Sequence, residues 1–137
     1  MLEPDSPDPH ADLPPSTPWV FLVVRFGLEI FGLVGMGYLG WWMGGGGLWG
    51  GVLAGVCVLA AAAVWGIFRV RHDPPGKTRQ PVVVPGTVRF GIELGFFALA
   101  AAGLWVGANR AASETLMTAV VLLYGITWDR QRWLLRQ

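Results

Sequence analysis

The sequence predicts an all-α integral membrane protein, a four-helix bundle built from a duplicated two-helix hairpin with parallel repeats. Three observations lead to this prediction: four long apolar segments, few charged residues, and a hexapeptide that recurs with Leu and Ile exchanged at two positions. Hydrophobic residues make up 53% of the 137 residues and charged residues only 14%, against roughly a quarter in soluble domains. A helix rises ~1.5 Å per residue, so about 20 apolar residues cross the ~30 Å hydrocarbon core of a bilayer.

The apolar segments define one domain, residues 19–137, behind a tail of 18 residues. The tail contains six prolines and four acidic residues, so we expect it to be disordered. It is acidic before the first apolar segment, and therefore does not resemble a cleavable signal peptide. The predicted spans are about 19–42, 48–68, 88–107 and 113–133.

The ends of these spans have recognisable sequence signals. The first span ends at Gly44-Gly45-Gly46-Gly47, a run that favours a tight turn. The second ends before Asp73-Pro74-Pro75, which a helix cannot continue through. Thr87 is the predicted N-cap of the third, and Ser113-Glu114 suits the start of the fourth. The fourth apolar run is the shortest, so its helix is expected to continue along the membrane surface through residues 129–135.

Two other fold classes conflict with the pattern. The segments lack the alternation of a membrane β-barrel, which excludes strands as the spanning elements. A soluble helical bundle needs helices with a polar face, and residues 48–68 contain no charged residue at all.

Lysine and arginine residues near the helix ends predict the orientation, because cytoplasmic loops are enriched in them. One side carries seven of them and the other only Arg110. This distribution places both termini in the cytoplasm of a multi-pass protein of the plasma membrane. The seven are Arg69, Arg71, Lys77, Arg79, Arg130, Arg132 and Arg136.

The repeat consists of Arg-Phe-Gly-Leu-Glu-Ile at 25–30 and Arg-Phe-Gly-Ile-Glu-Leu at 89–94, an offset of 64 residues. Trp41 and Trp105 are related by the same offset. A short turn and a second apolar helix follow each copy, which indicates a duplicated hairpin. Both copies enter the membrane from the same side, so the repeats are parallel and related by a pseudo-twofold axis along the membrane normal.

Arg25, Glu29, Arg89 and Glu93 form the candidate intramembrane polar network. An ionised side chain at membrane depth costs about 2.5–3.5 kcal/mol on insertion scales, so these residues are expected to face the bundle interior or to pair. The repeat predicts cross-pairing of Arg25 with Glu93 and of Arg89 with Glu29. Such a network can fix helix register or bind an ion, a proton or a small polar solute. The structural interpretation is favoured because four balanced charges can satisfy one another.

Glycines spaced by four residues are predicted to let helix backbones touch. They are Gly91 and Gly95 in the third span, Gly47, Gly51 and Gly55 in the second, and Gly40 and Gly44 in the first.

Asp129 and Arg130 form a second polar pair, at the cytoplasmic exit of the fourth span. Its simpler interpretation is interfacial anchoring together with Trp128. The alternative is that Asp129 pairs with Arg69 or Arg25 and closes the cytoplasmic mouth.

Other kinds of chemistry lack support in the sequence. Cys57 is the only cysteine, and His10 and His72 have no partner at ligand spacing, so neither a metal site nor a cofactor site is predicted. No nucleophile is paired with a base, and the protein is not expected to be an enzyme. A net charge of +1 gives no indication of nucleic-acid binding.

Several motifs together resemble the YrdB-like family of small bacterial membrane proteins of unknown function. They are Arg-Phe-Gly-x-Glu in both halves, Trp65-Gly66-x-Phe68-Arg69-Val70, Asp73-Pro74, the Val-Pro-Gly at 84–86, and Tyr124 through Asp129-Arg130 to Trp133-Leu134-Leu135-Arg136. The likeness covers about residues 20–137, with a departure at Trp128, where the family pattern has Tyr. The resemblance implies a four-helix membrane protein and no particular activity.

Two functions are therefore open from the sequence. The first is a structural or accessory membrane subunit. Its expected partners are the lipid bilayer and either further copies of the chain or another membrane protein. The alternative is transport of a small solute, a proton or an ion through an oligomer that uses the four intramembrane charges.

Overall fold

The computed structural model describes residues 16–69, without the side chain of Arg69, and residues 82–136. Most of the predicted disordered tail and the basic residues Arg71, Lys77 and Arg79 lie outside these ranges. Within them the chain forms five helices and one pair of very short strands. The elements are α1 (Trp19–Met43), α2 (Gly47–Ile67), β1 (Phe68–Arg69), β2 (Val82–Val83), α3 (Gly86–Gly107), α4 (Arg110–Ile126) and α5 (Trp128–Leu135).

The turn between α1 and α2 depends on glycine. Gly45, Gly46 and Gly47 have φ angles of 68°, 77° and 62°, in the left-handed region that other residues rarely adopt. The backbone N–H groups of Gly45 and Gly46 donate to the carbonyls of Trp42 and Trp41, so the glycine turn also satisfies the last carbonyls of α1.

The predicted start of α3 at the Thr87 cap is wrong. The helix begins at Gly86 with Pro85 in the cap position and no side-chain cap. The N–H of Arg89 donates to the Pro85 carbonyl at 3.1 Å, and this first hydrogen bond starts the helix before Thr87 could cap it. Pro85 suits the position because its fixed φ leads the extended chain into the first helical turn.

The predicted fourth span, 113–133, corresponds to two helices and not to one. α4 begins three residues earlier, where the Asn109 side chain accepts a hydrogen bond from the Ala112 N–H at 2.8 Å. Ser113 instead donates to the Ala101 carbonyl of α3. The chain bends by 78° at Thr127, whose hydroxyl donates to the Leu123 carbonyl at 2.7 Å.

The two strands were not predicted. β1 and β2 are parallel and only two residues long, with Phe68 opposite Val82 and Arg69 opposite Val83. Phe68 leaves α2 in an extended conformation, with φ −91° and ψ 115°, so its backbone is available for pairing. The strand pair joins the end of α2 to the start of α3.

The helices pack in the order α2–α1–α3–α4, and α5 packs against α3. Apolar residues of α3 and α4 form the core, together with Leu28 and Met36 of α1. α2 makes its main contacts with α1, and Gly50 is its only buried residue. The end of α2, at Trp65, and the first half of α3, at Glu93, both lie beside Arg25 in the first half of α1.

The glycine predictions are correct for α1 and wrong elsewhere. A methyl group added at Gly40 would collide with Leu53 and Ala54, and one at Gly44 with Gly50. A methyl group added at any of the other predicted glycines has open space or, at Gly51, only an ordinary contact with Trp41. A spacing of four identifies glycines on one face, but it does not say which face packs. The glycines without a close contact are Gly47, Gly51, Gly55, Gly91 and Gly95.

The closest helix contact was not predicted and joins α1 to α3. The backbones meet at Gly35 and Gly103, where a methyl group on Gly103 would overlap the Gly35 carbonyl oxygen. Three helices, α1, α2 and α3, are long and apolar enough to cross a membrane, and α4 with α5 is a fourth if the bent pair is one span. The fold is compatible with a multi-pass membrane protein.

Candidate functional site: a buried charge cluster

Glu93 of α3 is the centre of the site, with only 1% of its side chain exposed. Arg25 of α1 donates from Nη2 to Glu93 Oε1 at 2.5 Å. Tyr124 of α4 donates its hydroxyl to Glu93 Oε2 at 2.8 Å. Both carboxylate oxygens are therefore occupied, each by a different helix, and the predicted contact between Arg25 and Glu93 is present. Such charge-assisted hydrogen bonds are the strong ones.

Arg25 links the two glutamates of the repeat. Its Nε donates to Glu29 Oε1 at 3.2 Å, one turn further along α1, while its Nη2 holds Glu93. We call Arg25, Glu29, Arg89, Glu93 and Tyr124 the charge cluster.

Arg89 does not form the predicted pair with Glu29, since no ion pair within 4 Å joins these two described residues. It donates from Nη1 to the carbonyls of Trp65 at 3.2 Å and Phe68 at 2.8 Å. Its guanidinium carbon lies 4.4 Å from the Trp65 ring centre, and its Nε lies 3.6 Å from Glu93 Oε1. The last carbonyls of a helix lack intrahelical donors and carry partial negative charge, so Arg89 caps α2.

Glu29 is the most open member of the charge cluster, with 22% of its side chain exposed. Among the described residues it has one polar partner, Arg25, which takes Oε1. The Glu29 side chain lines a cavity of about 220 Å³ between α1 and α2, which we call the α1–α2 cavity. Its other lining residues are Phe26, Ile30, Leu33, Ala61, Ala62, Trp65, Gly66 and Phe96.

The second predicted pair lies at the start of α5. Asp129 is exposed in the first turn of that helix, where a carboxylate stabilises the positive end of the helix dipole. Within the described side chains Asp129 forms no ion pair, and Arg25 is engaged by the two glutamates. The pairing of Asp129 with Arg69 lies outside the described residues, because it depends on the Arg69 side chain.

Sequence reasoning missed two buried polar residues. Tyr124 gave no signal beyond its place in an apolar segment, although a buried tyrosine hydroxyl usually has a partner. Gln131 of α5 is fully buried, and neither atom of its amide has a hydrogen-bond partner in the described part of the chain. No three His, Cys, Asp or Glu side chains come together to hold a metal ion within residues 16–69 and 82–136.

The Tyr124 hydroxyl can be tested by its removal. We expect Tyr124→Phe to lower the free energy of unfolding by about 1.5–3 kcal/mol, since a hydrogen bond to a buried charge is lost without a change in shape. Unfolding in mixed micelles with increasing dodecyl sulfate measures this change. Tyr38→Phe, at a more exposed tyrosine of α1, serves as the control; equal effects of the two substitutions are incompatible with a specific role for Tyr124.

Fold and site together define the class: a helical protein with three to four apolar helices that are tied together by a buried charge cluster. The sequence profile of a protein family of unknown function (DUF2568) matches residues 23–123. The chain is also 35% identical over 116 residues to "Uncharacterized protein YrdB" of Bacillus subtilis (strain 168), covering 85% of this chain and 94% of that protein. The chain therefore belongs to the YrdB-like DUF2568 family, as its motifs indicated. No solved structure matches.

Proposed function

We propose that the protein is a four-span membrane protein with both termini in the cytoplasm, and that it serves as a structural or accessory subunit whose helices are held together by the charge cluster. The exposed apolar surface supports the membrane setting. Leu48, Trp49 and Leu59 of α2 leave 71–81% of their surface uncovered. Exposed apolar patches of this extent are rare on soluble monomers, whereas lipid tails solvate them without cost.

Whether the protein has three or four membrane spans depends on α4 and α5. α4 has 17 residues and a length of about 25 Å, slightly less than the hydrocarbon core. The 78° bend turns α5 away from the direction of α4, which suits a helix lying along the cytoplasmic surface. Trp128 and Arg132 of α5 are types common at that interface.

The packing order supports the duplicated hairpin. Each proposed repeat contains one helix that carries the Arg-Phe-Gly-x-Glu sequence, and these two helices, α1 and α3, pack together at the centre. α2 and α4 then lie on the outside of their own partners. This is the order that a pseudo-twofold axis between two parallel hairpins requires.

The burial of Glu93 is the observation that carries the structural role. Its two oxygens receive donors from α1 and α4, so three helices meet at one carboxylate, of which only 1% is exposed. Breaking such a pair is costly because a buried charge is left uncompensated. A group of this kind suits holding helices in register.

Transport through an oligomer is the second candidate, and Glu29 favours it. Glu29 lies beside the α1–α2 cavity with a single polar partner. An intramembrane acid with such access could carry a proton or a cation.

Reconstituted liposomes distinguish the two roles. We expect the purified protein to remain with the lipid during flotation at alkaline pH, and to pass no more protons than protein-free liposomes under an imposed potential. A pH-sensitive dye inside the liposomes measures the flux. Recovery of the protein in the aqueous fraction contradicts the membrane setting. A proton flux that Glu29→Gln and Glu93→Gln together abolish contradicts the structural role and supports transport.

A further inference from the structure

The α1–α2 cavity has an acid at its edge that the charge cluster does not fully use. Glu29 Oε1 accepts the Arg25 Nε–H at 3.2 Å, and no described residue donates to Oε2. Arg25 makes its shorter contact with Glu93, and the Nη1 group of Arg89 is directed to the carbonyls at the end of α2. One carboxylate oxygen thus remains available at a cavity whose other lining side chains are apolar.

The aromatic lining of the cavity also favours positive charge. Trp65, in the last turn of α2, lines it. The aromatic rings of Phe26 and Phe96 complete the wall, and aromatic faces attract ammonium groups. The Trp65 ring already has both Arg25 and Arg89 within 6.0 Å of its centre.

We infer that the α1–α2 cavity binds an alkylammonium group, with Glu29 as its counter-ion and the apolar walls around the attached hydrocarbon. The cavity volume of about 220 Å³ is many times what one water needs, so it has room for an ammonium group and several methylenes. Small residues at Ala61, Ala62 and Gly66 keep this space open.

Two sources offer this chemistry inside a membrane: the headgroup of phosphatidylethanolamine and a free amphiphilic amine. The inference goes beyond the proposed structural role, but it rests on the proposed membrane setting. The charge cluster keeps its Arg25–Glu93 contact whether or not the cavity is filled.

The free-amine arm uses protein in nanodiscs of phosphatidylglycerol, a lipid without an ammonium group. Octylammonium is titrated and followed by Trp fluorescence, with 1-octanol as the uncharged probe of the same chain length. We expect octylammonium to bind the wild-type protein at least tenfold more tightly than 1-octanol. The lipid arm uses nanodiscs of equal phosphatidylethanolamine and phosphatidylglycerol, and native mass spectrometry counts the lipids retained on the released protein.

Two pairs of variants test the site itself. Glu29→Gln is expected to remove the preference for octylammonium and for phosphatidylethanolamine, whereas Glu114→Gln, at an exposed acid of α4 that pairs with Arg110, keeps both. Gly66→Leu is expected to weaken binding at least tenfold with every charge in place, because its side chain fills the cavity. Gly55→Leu, in the same helix at a position with equally open space, is the matched control.

Binding in either arm that depends on Glu29 and on the space at Gly66 supports the inference, and the arm that responds identifies the source. No preference for ammonium in either arm, or the same preference in the wild-type protein and Glu29→Gln, overturns it. If the protein enters nanodiscs with an intact fold but binds neither probe, the inference is overturned and the proposed function stands. If the protein does not associate with lipid, the proposed function itself is contradicted.

Discussion

Replacing Glu93 by glutamine is expected to lower the free energy of unfolding by about 3–5 kcal/mol, the usual cost of removing one partner from a buried ion pair. The glutamine has nearly the same shape, so packing is preserved. The guanidinium groups of Arg25 and Arg89, which lie 2.5 and 3.6 Å from Glu93 Oε1, then share Glu29 as the remaining acid of the cluster. Equilibrium unfolding in mixed micelles with dodecyl sulfate measures the change.

A double substitution tests whether the loss of stability comes from the unbalanced buried charge. Adding Arg25→Gln to Glu93→Gln removes one of the two cations that would otherwise share Glu29, so the double variant is expected to be more stable than the sum of the single effects predicts. Glu114→Gln breaks an exposed ion pair on α4 and is expected to change stability by less than about 1 kcal/mol. A loss below about 1 kcal/mol for Glu93→Gln, or additive effects of the two substitutions, contradicts the central role of the buried pair.

Gly103→Ala is expected to destabilise the protein by about 3 kcal/mol, the upper end of the usual cost of overpacking a core. The added methyl group meets the Gly35 carbonyl oxygen and the Leu39 backbone of α1. Backbone atoms cannot rotate away as a side chain does, so α1 and α3 must separate along their length. Thermal unfolding in detergent, together with the yield of folded protein, measures this effect.

Gly91→Ala provides the matched control, because it is the same substitution in the same helix. Its methyl group meets nothing within 4 Å, and alanine favours a helix over glycine by about 1 kcal/mol. The two substitutions are therefore expected to act in opposite directions. Destabilisation of similar size by both would mean that α1 and α3 do not meet at Gly103.

The three long helices could be predicted from the sequence because their length is a direct count of apolar residues. The predicted and observed bounds of α1, α2 and α3 differ by at most two residues at either end. The place of the bend at Thr127 could not be predicted, since a threonine hydroxyl bonded to the carbonyl four residues earlier also occurs within continuous helices. The contact of α1 with α3 at Gly35 and Gly103 was also missed. It depends on how each helix is rotated about its own axis, which the spacing of glycines does not give.

Only part of the pairing within the charge cluster could be predicted from the sequence. The repeat correctly paired Arg25 with Glu93, but the predicted symmetry assigned Arg89 to Glu29. The helix pairs α1–α2 and α3–α4 end differently, and this difference accounts for the departure from the predicted symmetry. α2 ends in free carbonyls, which take the donors of Arg89, whereas the chain after α4 turns into α5, where the N–H groups of Arg130 and Gln131 donate to the Thr127 carbonyl.

The glycine turn at 45–47 has a consequence for biosynthesis in the proposed membrane setting. α1 carries Arg25 and Glu29, and each costs about 2.5–3.5 kcal/mol if it enters the bilayer alone at full depth. α2 contains no charged residue, and the turn is too short for the two helices to partition separately. We expect them to enter the lipid as one unit, so that the surplus hydrophobicity of α2 helps to carry α1 in before α3 supplies Glu93 as a second partner of Arg25.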